Sequence, residues 1–200
     1  GGICLDVTPL HKLLLDALED KKLFVLSTNA DGQFEKAGLP AEQIFCTQGD
    51  YFHIQCAHAC HNKIYDARKL FKQMDQASNN CRIPTYMVPK CPVCGGPMDM
   101  NLRKDNYFVQ DEAWYAAEQR FSDFLAKAMH KKLVLLELGV GFNTPSIIRF
   151  PFEKLAKEHT NINLIRLNFD QAIVPESLGT RAVGIDADMA ESIRDIVRQM

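Results

Sequence analysis

Residues 133–141 read LVLLELGVG, and this stretch decides the fold class. Four consecutive apolar residues predict a strand that is buried on both faces, and the glycines that follow end it. Similar runs occupy residues 23–26 and 162–167, and 43–47 is a weaker strand candidate. Helical patterns separate these strands, the longest of them at 112–129. The alternation predicts an α/β fold: a Rossmann-like, mostly parallel sheet with helices on both faces.

Residues 51–109 differ in composition from the rest of the chain. They hold five of the seven cysteines and several prolines, and they show little helical periodicity. We interpret 51–109 as a small module inserted into the fold and organised by a metal. The Rossmann-like domain is then expected to comprise residues 1–50 and 110–200.

The cysteines of this insert occur as two close pairs. Cys56 and Cys60 are separated by three residues, and Cys91 and Cys94 by two. Zinc takes four ligands at tetrahedral corners, so two close pairs on two turns supply two corners each. We predict one structural zinc ion held by four thiolates, with no position left open for water.

Two alternatives to this zinc site stay open. Residues 91–94 could be a redox pair, or His58 or His61 could replace one cysteine ligand. Cys4, Cys46 and Cys81 are interpreted as ordinary buried or loop residues. An odd number of cysteines and no sign of a secretory signal favour a reducing compartment, and therefore a cytoplasmic location.

Charge and hydropathy exclude two classes of partner. The chain has 23 Lys and Arg residues against 25 Asp and Glu residues, with no long basic run. Electrostatic binding to nucleic acid therefore has no support. No stretch approaches the 18 or so consecutive apolar residues that a membrane-spanning helix needs. We expect neither a nucleic acid nor a membrane as partner.

Polar and glycine residues follow the predicted strands. In open parallel sheets, ligands bind beyond the carboxyl ends of the strands. Those ends carry residues 27–32, 47–50, 139–144 and 168. A glycine pair between a strand and a helix suits a phosphate or a ribose, although Gly139-x-Gly141 alone is weak evidence of one. Taken singly, Asn29 and Asp31 also fit ordinary turn and helix-cap chemistry.

In combination, these segments resemble the sirtuins, NAD-dependent enzymes with a Rossmann-like domain and a four-cysteine zinc insert. Residues 24–32, FVLSTNADG, are similar to the family's strand that ends in T-Q-N-x-D, and Ala37-Gly38 matches its downstream A-G. Gln48-Gly49 falls where the family has H-G. The second cysteine pair reads C-P-x-C-G-G, as it often does there. The resemblance covers roughly residues 10–200.

Three departures from the family pattern bear on activity. Gln48 occupies the place of the catalytic His, and a neutral amide cannot accept a proton at physiological pH. Thr28 replaces the family's Gln, whereas Asn29 and Asp31 are retained. The usual G-T-S is replaced by residues 139–145, GVGFNTP.

These departures resemble the macrodomain-linked branch of the family, often called class M. The resemblance implies NAD-dependent transfer of ADP-ribose to a protein, with release of nicotinamide. It implies NAD as co-substrate and zinc as a structural ion. The implied partners are a lipoylated carrier similar to the glycine-cleavage H protein and a macrodomain protein.

The resemblance also implies which residues form the site. Asn29, Asp31 and Gln48 are the expected catalytic residues, and a carboxylate such as Asp31 or Asp50 could stabilise positive charge on the ribose. The expected NAD-binding residues are Thr28, Asn29, Asp31, Gln48, Gly139, Val140, Gly141, Asn143 and Asn168.

One family segment has no match. Sirtuins open with a strand and a G-A-G-x-S loop around the NAD phosphates, and nothing before Leu23 resembles it. We expect an N-terminally incomplete member of the family. Two other functions stay open: a deacylase that uses another base, with His53, His58 and His61 as candidates, and a non-catalytic NAD-binding or interaction module.

Overall fold

The computed structural model describes residues 6–199. Cys4 and the Gly1-Gly2 start lie outside the described residues. The helices are α1 (Pro9–Ala17), α2 (Gln33–Lys36), α3 (Arg68–Gln76), α4 (Glu112–Ala128), α5 (Arg149–Glu158) and α6 (Met189–Arg198). The strands are β1 (Val25–Ser27), β2 (Ile44–Cys46), β3 (Gly49–Cys56), β4 (Ile64–Asp66), β5 (Met98–Leu102), β6 (Leu133–Leu138), β7 (Ile162–Asn168) and β8 (Ala182–Asp186).

The described chain forms two compact units. Residues 6–7 and 25–120 form the first unit, and residues 8–24 and 121–199 form the second. These limits differ from the domain division expected from the sequence, which stays a prediction. Among the described residues no helix is both long and apolar enough to cross a bilayer.

The first unit combines a parallel and an antiparallel sheet. Strands β1 and β2 pair in parallel, with Ser27 opposite Cys46. Strand β3 is the centre of an antiparallel sheet in the order β4-β3-β5. The pairing of β3 with β5 is irregular between Gly49 and Ile54. This irregularity matters for the site because it changes which side chains of β3 share a face.

The second unit is built on the parallel sheet β6-β7-β8. Its apolar core consists of Leu135, Ala156, Ile162, Leu164 and Leu178. Leu135 and Leu164 are buried at the strand centres, whereas Val134 of β6 is 53% exposed.

A buried ion pair joins two strands of this unit. Arg166 of β7 binds Glu137 of β6 through two hydrogen bonds of 2.6 and 3.0 Å, and both side chains are fully buried. Burial raises the pKa of Glu137, and the paired Arg166 opposes that rise. Arg166 also binds Glu153 at 2.9 Å. The charges are therefore compensated within the unit.

The predicted α/β class with parallel sheets is confirmed. The strands predicted at 23–26, 43–47, 133–136 and 162–167 are present as β1, β2, β6 and β7. One predicted boundary is wrong. The sequence pattern of residues 145–157 predicts a helix, but the helix begins only at Arg149, because residues 145–148 form turns.

Candidate functional site

The four predicted zinc ligands lie together. One sulfur from each of Cys56, Cys60, Cys91 and Cys94 lies within 4.8 Å of the others. The Cys56–Cys94 and Cys60–Cys91 sulfur separations are 3.7 and 3.5 Å. Tetrahedral ligation with Zn–S bonds of about 2.3 Å requires sulfurs about 3.8 Å apart, so the arrangement fits zinc.

The backbone fixes both cysteine turns. Cys56 ends strand β3, where it pairs with Met98 of β5. In the second turn, the N–H of Gly95 donates to the carbonyl of Cys91 at 2.9 Å, and Gly95 has a φ of +71°. Backbone N–H groups of Cys60 and His58 lower the pKa of the Cys56 thiol to about 6, whereas burial raises the pKa of the neighbouring Cys60 thiol.

The geometry favours four cysteine ligands over a set in which His58 or His61 replaces one cysteine. The group whose atoms converge consists of cysteines alone. His61 lies beside it, with Nδ1 3.1 Å from the Cys60 sulfur and Nε2 2.8 Å from the Tyr65 hydroxyl. His61 is therefore placed to support a ligand rather than to replace one. Cys81 is exposed and is not one of the four cysteines of the cluster.

A cavity of about 450 Å³ lies in the first unit, beside the carboxyl end of β1 and the start of β3. Asn29, Asp31, Asp50 and His53 supply its polar wall. Its apolar wall includes Ile44, Phe45, Phe52 and Trp114. The cavity combines an apolar lining with a few convergent polar groups, which is typical of small-molecule sites.

The turn after β1 is held by its own hydrogen bonds. The hydroxyl of Ser27 accepts from the N–H of Asn29 at 3.0 Å, and the hydroxyl of Thr47 donates to the Ser27 carbonyl at 3.2 Å. Asp31 accepts from the N–H of Gln33 at 3.1 Å, where α2 begins. Turn and cap chemistry thus explains part of this sequence. It also places Asn29 and Asp31 on the cavity wall.

The Asn29 amide remains available for a ligand. This side chain is exposed, and it has no hydrogen-bond partner among residues 6–199. An amide can both donate and accept, so Asn29 can bind the hydroxyl groups of a sugar.

Asp50 and His53 form a hydrogen-bonded pair on the same wall. Nδ1 of His53 lies 2.8 and 2.9 Å from the two carboxylate oxygens of Asp50. In a regular strand, residues three apart point to opposite faces, so the irregular pairing of β3 is what brings them together. The Asp50 hydrogen bond raises the pKa of His53 above its ordinary value, and burial opposes that rise.

Arg68 and its partners form the charged edge of the cavity. Its guanidinium binds Asp66 at 2.7 Å and Glu35 at 3.3 Å, and it lies over the ring of Phe52. Burial raises the pKa of Asp66, but the hydrogen bonds and charge of Arg68 outweigh this and lower it. Sequence reasoning missed Arg68 and Asp66 because nothing local distinguishes them from a solvated charge pair.

The predicted site residues do not all lie at the cavity. Asn29 and Asp31 line it, whereas Gln48 and Thr28 are not among the residues that do. Gln48 is half-buried, and its carbonyl accepts from the N–H of Arg103 at 3.0 Å. Roles for Gln48 and Thr28 in NAD binding stay predictions.

The residues predicted for the adenosine side lie in the second unit. Gly139 follows β6 with a φ of +68°. The side chain of Asn168 donates to the carbonyl of Val140 at 3.2 Å and accepts from the N–H groups of Asp170 and Gln171, each at 3.2 Å. Asn168 therefore holds the loops after β6 and β7 together. Contacts of Gly139, Val140, Gly141, Asn143 and Asn168 with NAD stay predictions.

Arg149 orders the same loops and was not predicted. Its buried guanidinium donates to the carbonyls of Val140, Gln171 and Ile173 at 3.2, 2.9 and 2.9 Å. It also lies 4.0 Å from the ring centre of Phe142. Arginines on helices are mostly exposed to solvent, so the sequence does not predict that Arg149 is buried.

The fold is that of the sirtuins. Two solved structures illustrate this: a Sir2 homologue in complex with NAD, and Sir2 with a p53 peptide and NAD⁺. Both have a TM-score of 0.59 and 16% identity to this chain. The matches cover 99% and 95% of this chain, and 66% and 69% of the solved chains. The resemblance to sirtuins predicted from the sequence is confirmed.

At the sequence level, two relatives carry more specific names. The chain is 31% identical over 186 residues to a protein ADP-ribosyltransferase of Staphylococcus aureus. It is 31% identical over 179 residues to a probable bifunctional ADP-ribose hydrolase/ADP-ribosyltransferase of Fusarium oxysporum f. sp. cubense. These matches cover 92% and 84% of this chain, which spans 59% and 30% of the relatives' lengths. No family model matches the chain.

Proposed function

We propose that this chain acts in an NAD-dependent protein ADP-ribosyltransferase of sirtuin type, which releases nicotinamide and modifies a lipoylated carrier protein. The observation that carries the proposal is the cavity that brings the Asn29 amide and the Asp31 carboxylate together at the end of β1. The named activity of the Staphylococcus aureus relative supports the reaction type. NAD supplies an electrophilic ribose carbon and nicotinamide as leaving group.

The cavity residues have distinct tasks in this reaction. The Asn29 amide orients a ribose hydroxyl, since it has no other partner among the described residues. The Asp31 carboxylate lies on the same wall and stabilises positive charge that develops on the ribose. The apolar wall of Phe45, Phe52 and Trp114 excludes water, which strengthens that electrostatic interaction.

The cysteine cluster has a structural task. We propose that it holds one zinc ion, because the sulfur separations match tetrahedral thiolate ligation. All four positions are then filled by protein, so the ion takes no part in the reaction. The glycine-cleavage-H-like carrier, a macrodomain partner and a cytoplasmic location are carried over from the sequence resemblance as part of this proposal.

Transfer of a label from NAD tests the function. The full-length protein is incubated with NAD labelled in its adenylate part and with the lipoylated carrier. We expect labelled carrier, and a rate about 100-fold lower for Asn29→Ala, because a donor aimed at the reacting sugar is lost. Asn106→Ala, an exposed asparagine of the same unit, is the matched control and should keep the rate. Undiminished transfer by Asn29→Ala contradicts the proposal.

Deacylation is the second candidate. It is favoured by the fold, since one solved neighbour with a TM-score of 0.58 is Sir2 bound to an acetylated peptide. Release of nicotinamide coupled to loss of the acyl group from such a peptide identifies this activity. Binding of NAD measured by calorimetry without either reaction identifies a non-catalytic module.

A further inference from the structure

The imidazole of His53 has one nitrogen engaged and one without a partner. Nδ1 is bound by both oxygens of Asp50, and no hydrogen bond reaches Nε2 from any residue between 6 and 199. The side chains of His53 and Asp50 are 30% and 20% exposed, so solvent and small molecules reach the pair. Asp50 is itself fixed, because its Oδ1 accepts from the N–H of Phe52 at 2.7 Å.

This is the arrangement in which a carboxylate orients a histidine base. The carboxylate fixes the tautomer that keeps the proton on Nδ1, so Nε2 carries the lone pair. A base must lie in the cavity where the reacting atoms bind, and His53 shares its cavity with Asn29 and Asp31.

We propose that His53, oriented by Asp50, is the proton acceptor of this site and deprotonates the nucleophile of the acceptor protein. The inference rests on the proposed function. In the step, the acceptor's heteroatom forms a bond to the ribose C1′ as the C1′–nicotinamide bond breaks. The electron pair of that bond leaves on the nicotinamide nitrogen. The acceptor's proton moves to Nε2 of His53 and then to water.

Other groups at the cavity are unsuited to accept this proton. Burial, with the nearby carboxylates adding to it, raises the pKa of the Cys46 thiol to about 12, so this thiol stays neutral. Asp66 is held as an anion by Arg68, which lowers its basicity. Asp31 is already engaged, because its carboxylate accepts from the N–H of Gln33 where α2 begins. Gln48 carries a neutral amide and does not line the cavity.

The charges facing His53 set the sign of the pH dependence. They are Asp50 on β3, Asp66 on β4, Arg68 on α3, Glu35 on α2 and Asp31 in the turn after β1. Asp50 and Asp66 raise the pKa of His53, whereas burial and Arg68 lower it, and the balance is a rise. A base works only when it is deprotonated, so the transfer rate should increase as pH rises through this elevated pKa.

The first experiment compares His53→Gln with His130→Gln in the full-length protein, using labelled NAD and the lipoylated carrier. His130 is exposed and belongs to the other unit. We expect kcat to fall about 100-fold for His53→Gln, because positioned general bases contribute at least that factor. NAD affinity measured by calorimetry should stay within about twofold, since Gln keeps a polar side chain there. His130→Gln should match wild type in both.

The second experiment separates a base from a merely structural histidine. NMR of ¹³C-labelled imidazole gives the pKa of His53 directly, without turnover. Asp50→Asn should lower that pKa, because a carboxylate that stabilises imidazolium is removed. The rising limb of the kcat/KM profile should move to lower pH by the same amount. Added imidazole should restore part of the rate in His53→Ala and none in His53→Gln.

The outcomes distinguish the inference from the function on which it rests. If wild type transfers no label, the proposed function fails. If wild type transfers label and His53→Gln keeps its rate and pH profile, the function stands and His53 is not the proton acceptor. A pH profile that does not move in Asp50→Asn, although NMR shows a lower pKa for His53, also overturns the inference.

Discussion

Strand β3 joins two chemically opposite regions of the first unit. At its end, Cys56 enters a cluster in which four sulfurs face one another and backbone hydrogen bonds fix the turns. At its start, the cavity wall keeps polar atoms that no described residue engages: the Asn29 amide and Nε2 of His53. Polar groups that engage one another build a scaffold, whereas polar groups without a protein partner can bind a ligand.

Removing one cysteine of the cluster should have the largest effect on stability. In Cys91→Ser we expect loss of the zinc ion and unfolding of the module, since structural zinc contributes about 10 kcal/mol or more to such modules. Metal analysis and thermal unfolding measure this. Cys81→Ser, at an exposed turn outside the cluster, is the control. Retention of one zinc ion per chain by Cys91→Ser contradicts the assignment.

Gly49 is the most sensitive position at the cavity end. A Cβ there would lie 1.8 Å from the Asn101 carbonyl oxygen, and its φ is +77°. We expect Gly49→Ala to cost about 3–5 kcal/mol in the free energy of unfolding, because backbone must shift and φ is strained.

Gly38→Ala is the matched control for this prediction. Gly38 also has a positive φ of +104°, but nothing lies within 4 Å of an added Cβ. Its cost should be about 1–2 kcal/mol, from strain alone. Urea unfolding of both variants gives the difference. Equal costs would show that the Asn101 contact does not constrain the start of β3.

The four zinc ligands at the end of β3 were predicted from the sequence, whereas the cavity at the start of β3 was predicted only in part. The two close cysteine pairs predict the metal ligands, because their spacing alone places two sulfurs on each turn. Asn29 and Asp31 followed from strand ends and from family resemblance. Asp50 and His53 were candidates separately, but their pairing could not be predicted, because it depends on the irregular register of β3 with β5, which has no signature in the order of residues.

Long-range contacts account for the other missed features. Strand β3 contains two polar residues, the half-buried His53 and the buried Gln55, so its hydrophobic pattern is weak. Strand β8 contains Gly184, which sequence reasoning treats as a strand breaker. The structure explains it: a Cβ would lie 1.9 Å from the Ala172 carbonyl oxygen. Such close approaches join residues far apart in sequence.

Gln55 lies between the two regions and should have an intermediate effect. Its buried Oε1 accepts from the Val109 N–H at 2.9 Å and from the Asn101 amide at 2.6 Å, and its Nε2 donates to the Tyr107 carbonyl at 2.6 Å. Gln55→Met keeps the length but leaves these groups unsatisfied, at a cost of about 2–3 kcal/mol.

Gln73→Met, on an exposed position of α3, is the control and should be nearly neutral. Urea unfolding measures both variants. If Gln55→Met is also neutral, the network does not hold the strand that links the cysteine cluster to the cavity.

The Asp50–His53 pair should give the smallest effect, a change of stability with pH. The folded-state pKa of His53 is raised, so its contribution is fully present below the unfolded value of about 6.5. It is lost as pH rises through the folded-state pKa. The pair is partly exposed, so its contribution is at most about 1 kcal/mol, or roughly 2–4 °C in Tm.

Thermal unfolding of wild type and Asp50→Asn at pH 5.5 and pH 9 measures the contribution of the pair to stability. We expect the Tm difference between the two proteins to be larger at pH 5.5, where imidazolium and carboxylate are both charged. At pH 9 the neutral imidazole still bonds to Asp50, so a smaller difference should remain. A Tm difference that is the same at both pH values would mean that Asp50 does not raise the pKa of His53. The cavity end would then lack the titrating group that distinguishes it from the cysteine end of β3.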